Sequence, residues 1–221
     1  MLIEGMARIR DNIRDILTSL PGHVELVAAT KSRSVEEILE AIEGGVKIVG
    51  ENYTREAEEK FRAIGSKVKW HFIGHLQKNK VKKAVRIFDM IETIDSVEIA
   101  AAIDKACAEI KKVMPVLIEV NSGKEENKSG VLPEDTENLI KDMSGFKNIK
   151  PVGLMTMGPF FENPEDYRQY FKAARQLFDR IKINYDIKYL SMGMSDSYHI
   201  AIQEGASLVR IGAGIFGPRI Q

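Results

Sequence analysis

A lysine, an arginine and two runs of small residues are the parts of this sequence that could do chemistry. Lys31 follows the small apolar run Val27-Ala28-Ala29-Thr30, which would hold its stem and strip water from its amine. Desolvation disfavours the ammonium and enlarges the neutral fraction. A neutral amine adds to a carbonyl and forms a Schiff base. The same position also suits an ordinary solvated loop lysine, so other residues must decide. Residues 189–219 read as two short apolar strands, each running into a loop of small residues. The first loop is Ser191-Met192-Gly193-Met194-Ser195. The second is Arg210-Ile211-Gly212-Ala213-Gly214, continuing to Phe216-Gly217. Small residues let backbone N–H groups approach an anion, and the helices that follow turn their positive ends to the same place. On neighbouring strands the two loops make a phosphate cradle. A carbonyl compound carrying a phosphate would be gripped at both ends.

Positioning these groups requires a scaffold that gathers strand ends. Strands are expected at 24–30, 46–49, 69–73, 90–94, 115–120, 152–156, 189–190 and 208–211. Helices are expected at 34–44, 53–64, 80–86, 97–112, 133–144 and 164–181, with one more over 1–20 on the stripe Ile9, Ile13, Ile16 and Leu17. Ser34, followed by Glu36 and Glu37, is a helix cap. Eight strands alternating with helices imply a parallel sheet closed into a (β/α)8 TIM-type barrel, preceded by an extra N-terminal helix. An open doubly wound sheet is the competitor, but no Gly-x-Gly-x-x-Gly turn follows the first strand. No linker or composition shift divides the chain, which reads as a single domain over 1–221. The stretch 121–132 reads as a mobile loop.

In such a barrel, chemistry sits where strands run into their following loops, and phosphate commonly binds after strands seven and eight. The residues at those ends are Lys31, then Glu51 and Asn52, then His75 and Gln77 with His71 inside the strand. Asp95 and Ser96, Asn121, Thr156 and Met157, Ser191 to Ser195, and Arg210 and Gly212 complete the set.

Composition excludes several functions. Lys plus Arg equals Asp plus Glu, at 32 each, so no overall field draws nucleic acid or an anionic membrane. No apolar run approaches bilayer length. Glu4, Asp11 and Asp15 break the N-terminal segment and argue against a signal peptide. The one cysteine, Cys107, falls on a helical apolar stripe and reads as a core residue. There is no Cys/His cluster for a metal. The expected compartment is the cytoplasm.

Two ligand classes satisfy a lysine and a phosphate cradle: a phosphosugar, as in a Schiff-base aldolase, and pyridoxal 5′-phosphate (PLP). Arg210 bears on the choice, because a guanidinium is one partner proteins offer the pyridine nitrogen of PLP. Such a fixed cation disfavours protonation of that nitrogen and makes the ring a poorer electron sink.

Four motifs then resemble the PLP homeostasis family, single-domain relatives of the N-terminal barrel of alanine racemase. They are Ala28-Ala29-Thr30-Lys31, Gly50-Glu51-Asn52-Tyr53, the run from Trp70 to Lys80, and Leu190 to Asp196 together with Val209 to Gly217. Weaker matches are Glu119-Val120-Asn121 and Gly153 to Met157. The resemblance implies PLP held covalently as a Schiff base on Lys31. It implies Ser195 and the backbone of Met194, Gly212 and Ala213 on the phosphate, Arg210 facing the pyridine nitrogen, and Asn52 and His71 lining the ring. His75 departs from the family pattern and is assigned no role.

The resemblance also bears on turnover. A racemase of this type needs a second base, a tyrosine from a separate domain of a partner subunit, and the sequence stops at Gln221 soon after the last strand. Tyr53 and Tyr198 stand near the expected mouth, each read as a packed helix-start residue. The expectation is therefore a PLP-binding protein that stores, delivers or buffers the cofactor, with PLP-dependent apoenzymes as recipients, no catalytic residue and a monomeric state. The alternative is a weak PLP-dependent amino-acid racemase. The cluster Lys78, Lys80, Lys82 and Lys83 reads as a solvated helix face.

Overall fold

The computed structural model describes residues 2–218. Eight strands pair in chain order and in parallel, and the last returns to the first to close a barrel. The strands are β1 (Glu25–Ala29), β2 (Ile48–Glu51), β3 (Lys69–Phe72), β4 (Met90–Ile94), β5 (Met114–Glu119), β6 (Ile149–Met155), β7 (Tyr189–Ser191) and β8 (Leu208–Ile211). The helices are α1 (Leu2–Ser19), α2 (Val35–Glu43), α3 (Thr54–Ile64), α4 (Val81–Ile87), α5 (Val97–Glu109), α6 (Thr136–Asp142), α7 (Arg168–Lys182), α8 (Tyr198–Gln203) and α9 (Ala213–Phe216). The expected barrel and its leading helix are therefore present. None of the described helices is long and apolar enough to cross a membrane.

Strand residues are buried on both faces, which is why the strands read as near-continuous apolar runs. One set of side chains, including Val27, Ile48, Ile73, Met90, Leu117, Met155 and Leu208, fills the barrel. The other set packs outward against the helices, where Cys107 is fully buried. Ile9, Ile13 and Ile16 bury the inner stripe of α1, whereas Leu17 lies at its edge, 36% exposed. Asn12 ties α1 to the last helix by donating to the Ile215 carbonyl at 2.8 Å. Ser34 caps α2 in a reciprocal box: Ser34 Oγ accepts from the Glu37 N–H, and Glu37 accepts from the Ser34 N–H.

Some boundaries differ from expectation. β2 starts two residues later, because the Val46 N–H is taken by the Ala41 carbonyl in the turn that ends α2. It continues through Gly50 and Glu51, which pair with His71 and Phe72. α5 stops at Glu109, followed by Lys111 at φ 53°. β6 begins three residues early, and Gly153 is what lets it lie against β7. A Cβ there would sit 2.0 Å from the Tyr189 carbonyl oxygen.

Candidate functional site

The mouth of the barrel is built where β1, β2, β7 and β8 run into their loops. β8 pairs directly with β1, so Arg210 is in register with Val27, and Gly212 and Ala213 come out beside Lys31. A Cβ on Gly212 would lie 3.2 Å from the Ala29 carbonyl oxygen. The chain after β8 thus approaches the lysine strand backbone to backbone, and a larger residue would press on the Ala29 carbonyl.

Lys31 is half-buried in the turn after β1. Its neighbours are fixed from outside the barrel. The Thr30 N–H donates to the Gly50 carbonyl at 2.9 Å, and Thr30 Oγ1 donates to Glu51 Oε1 at 2.7 Å. Lys60, on α3, reaches in and donates to the Thr30 carbonyl, to Glu51 Oε1 and to Glu56 Oε1, each at 2.6 Å. Glu56 Oε1 also accepts the Ser32 N–H at 2.5 Å, and Ser32 sits at φ 61°. Burial pushes the Glu51 carboxyl up, against the lowering effect of Lys60 and Thr30.

The two small-residue loops meet each other. The Gly214 N–H donates to Ser195 Oγ at 3.1 Å, joining the loop after β8 to the loop after β7. Gly193, at φ 90°, makes the turn, and a Cβ there would come within 2.5 Å of Ala201 Cβ. Ser195 and Gly212 are half-buried and Ala213 is exposed, so all three are accessible from solvent. Met194 is used differently. Its N–H donates to Ser197 Oγ at 3.2 Å and its carbonyl accepts from Ser197 and Tyr198. Its backbone therefore shapes the entry to α8.

Beneath the mouth, the barrel holds a buried polar chain. Arg210, 4% exposed, donates to Ser191 Oγ at 2.5 Å and to the Thr156 carbonyl at 2.9 Å. Ser191 Oγ donates to Glu92 Oε2 at 2.6 Å, and Glu92 Oε1 lies 2.7 Å from His71 Nδ1. Burial would push the Glu92 carboxyl up, but His71, Arg210 and Ser191 together outweigh it and hold it down. Glu119 is the counterpart without such partners. Its carboxyl is pushed up to about 7, first by burial and then by Asp95, against Arg210. Its Oε2 is buried with no hydrogen-bond partner. Burial likewise lowers Arg210, opposed by Glu92 and Glu119.

The remaining expected residues separate. Asn52 lines a cavity of about 420 Å³ at the mouth with Tyr53, Gly74, His75 and Gln77. Its Oδ1 is buried with no hydrogen-bond partner. His71 does not stand at the mouth. Ile73, two residues further on and just past the end of β3, also packs into the barrel and occupies that end. His71 instead lines a cavity of about 340 Å³ at the opposite end of the strands, with Glu25, Lys69, Asp89 and Lys188. Tyr53 is not packed but 65% exposed, whereas Tyr198 packs against the core as expected. Lys82 and Lys83 pair with Glu109 and Glu58 on the solvated face of α4. Among the described residues, no cluster of His, Cys, Asp and Glu is arranged to hold a metal ion.

Sequence reasoning missed Glu92 and Lys60, and met Glu119 only within a weaker motif match, with no role attached. A charge inside a five-residue buried run, Met90-Ile91-Glu92-Thr93-Ile94, was the available signal for the first. Lys60 carried no signal, because it lies among the charges of an amphipathic helix.

The groups present fit a phosphorylated aldehyde: a lysine at the mouth, an unsatisfied buried amide oxygen, a guanidinium below, and two glycine loops joined through Ser195. The chain matches the alanine racemase N-terminal domain family over residues 6–219. It is 45% identical over 154 residues to the pyridoxal phosphate homeostasis protein of Aquifex aeolicus, covering 69% of this chain and 68% of that one. It is 34% identical over 210 residues to the protein of the same name from a Synechocystis species, covering 93% and 96%. Among solved structures, PipY of Synechococcus elongatus with PLP bound superposes with a TM-score of 0.88 at 28% identity. The match covers 95% of this chain and all (100%) of that one. Alanine racemase of Clostridium difficile, at 17% identity and a TM-score of 0.76, shares the fold over 60% of its length. The chain belongs to the pyridoxal phosphate homeostasis family, within the wider family of alanine racemase N-terminal domains.

Proposed function

We propose that this protein holds PLP at the barrel mouth, attached covalently through Lys31, and serves the intracellular balance of that cofactor without substantial turnover. The observation that carries the reading is the closure of β8 onto β1. It sets a glycine loop beside a half-buried lysine, with a buried arginine beneath them. PipY, whose structure contains PLP, and relatives named for PLP homeostasis support it.

When bound, the cofactor would supply an aldehyde, and Lys31 would be the residue that holds it. The protein's own groups do the rest. Ser195 and the backbone of Gly212 and Ala213 would take the phosphate, with Met194 shaping the turn that presents Ser195. Asn52 Oδ1 offers a buried acceptor. Arg210 would face the pyridine nitrogen, anchored from below by Ser191 and Thr156 and balanced by Glu92. A guanidinium held there keeps that nitrogen unprotonated, which weakens carbanion chemistry and favours holding over turnover. His71 acts on this arrangement only through Glu92. Around the mouth, Tyr53, Met157, Phe160 and Met194 expose apolar surface on three different loops. Such a rim suits brief contact with recipient apoenzymes.

The test is a visible absorption spectrum of the purified protein with added PLP, before and after borohydride, beside Lys31→Ala. The expected result is a yellow band that reduction removes, with the adduct on Lys31 and no band in the variant. A parent protein that takes up no PLP refutes the reading. Amino-acid racemisation abolished by Lys31→Ala refutes the absence of turnover.

A further inference from the structure

We infer that Lys60 is a positioning residue for Lys31, acting through a clamp on the two residues that flank it. The inference rests on the reading of Lys31 as the cofactor lysine and adds the device that sets its direction.

Lys60 is 5% exposed, although α3 offers a solvent-facing side where a lysine would cost nothing. Taking an ammonium out of water is unfavourable unless all its protons are satisfied. Here they are: three hydrogen bonds of 2.6 Å, to one carbonyl and two carboxylates. The acceptors are not scattered. One is the carbonyl of Thr30, immediately before Lys31. A second, Glu56 Oε1, also accepts from the N–H of Ser32, immediately after Lys31. The third, Glu51, takes the Thr30 hydroxyl. One buried ammonium therefore fixes the peptide groups on both sides of Lys31.

Backbone geometry shows the clamp holding something. Ser32 lies at φ 61°, a left-handed conformation that a non-glycine residue keeps only when its surroundings hold it. The Glu56 contact supplies that hold. Simple cohesion between β1 and α3 is a weaker explanation, since an apolar side chain would pack the same space without burying charge. Polar contacts are needed to fix the direction in which residue 31 leaves the strand. Attachment to an aldehyde demands that direction, because a misplaced amine loses reactivity steeply with small displacements.

The test separates attachment from simple binding. PLP is compared with pyridoxine 5′-phosphate, which keeps the phosphate and ring but carries an alcohol in place of the aldehyde. Lys60→Met and Glu56→Ala are each expected to weaken borohydride-trappable uptake of PLP on Lys31 by roughly tenfold or more. Both are expected to bind pyridoxine 5′-phosphate within about twofold of the parent. Glu56→Gln, whose amide oxygen still accepts from Ser32, is expected to recover most of the loss. Equal losses for both ligands would make the clamp merely structural and overturn the inference, as would parental PLP uptake in both variants. Should Lys60→Met fail to fold, Glu56→Ala decides alone, because Glu56 is partly exposed on the first turn of α3. A parent protein that binds pyridoxine 5′-phosphate but forms no Lys31 adduct would refute the attachment itself, and the positioning role with it.

Discussion

Replacing Glu119 with glutamine should stabilise the cofactor-free protein, and only above mildly acidic pH. Glu119 points into the barrel from the end of β5, is 4% exposed and leaves one carboxylate oxygen without a partner. Its carboxyl is pushed from an ordinary 4.5 up to about 7, chiefly by burial. Below pH 4.5 both folded and unfolded chains carry the proton, and no penalty arises. Between 4.5 and about 7 the unfolded chain loses the proton while the folded chain keeps it, so stability falls as pH rises. Above about 7 the penalty is complete, at about 3 kcal/mol. Glutamine removes the ionisation and keeps the shape. Urea unfolding of parent and Glu119→Gln at pH 4 and pH 8 measures it as a difference of differences, which cancels every titrating group that does not interact with Glu119. The variant should gain about 2–3 kcal/mol on the parent between the two pH values. A gap that does not change with pH, or one that closes as pH rises, would show that burial does not dominate at Glu119.

Two other substitutions test the frame around the site. Arg210→Leu leaves Glu92 and Glu119 buried without their cation, and should lower unfolding stability by about 3–5 kcal/mol at pH 7, read by urea titration. Gly153→Ala places a Cβ 2.0 Å from the Tyr189 carbonyl oxygen, so β6 and β7 must separate. It should lose about 3 kcal/mol or more, while Gly145→Ala, with nothing within 4 Å, should change stability by under about 0.5 kcal/mol.

The fold was legible because each strand is an apolar run and each helix a stripe, and a parallel barrel buries both faces of every strand. Errors fell where local chemistry competes with pattern. Val46 is apolar and β-branched, yet its N–H closes the turn after α2, so β2 begins beyond it. Gly153 lies inside the expected strand, yet its sequence does not show that the close approach of β7 requires a glycine there. No local pattern encodes that approach, since it depends on a strand distant in sequence.

The site divides along the same line. Lys31, Asn52, Ser195, Gly212 and Ala213 follow strand ends, where topology alone sends them to one face of the barrel, with Arg210 inside β8 just beneath them. Of the groups that tune those residues, Ser191 shares a motif with Arg210, but Glu92 and Lys60 lie in no motif. Arg210 is set by Ser191 and Glu92 across the barrel, and His71 enters only as the far partner of Glu92. The residues flanking Lys31 are set by Lys60 from a helix. His71 shows the limit most directly. Alternation turned it inward, but inward positions along one strand occupy successive depths, and Ile73 holds the depth nearest the mouth. A periodicity of two gives the face of a strand and not the layer. Layer depends on the stagger between neighbouring strands, fixed by register pairs such as Gly50 with His71 and Val27 with Arg210. Any sequence reading of a barrel site will therefore name its mouth residues more securely than the polar partners stacked beneath them.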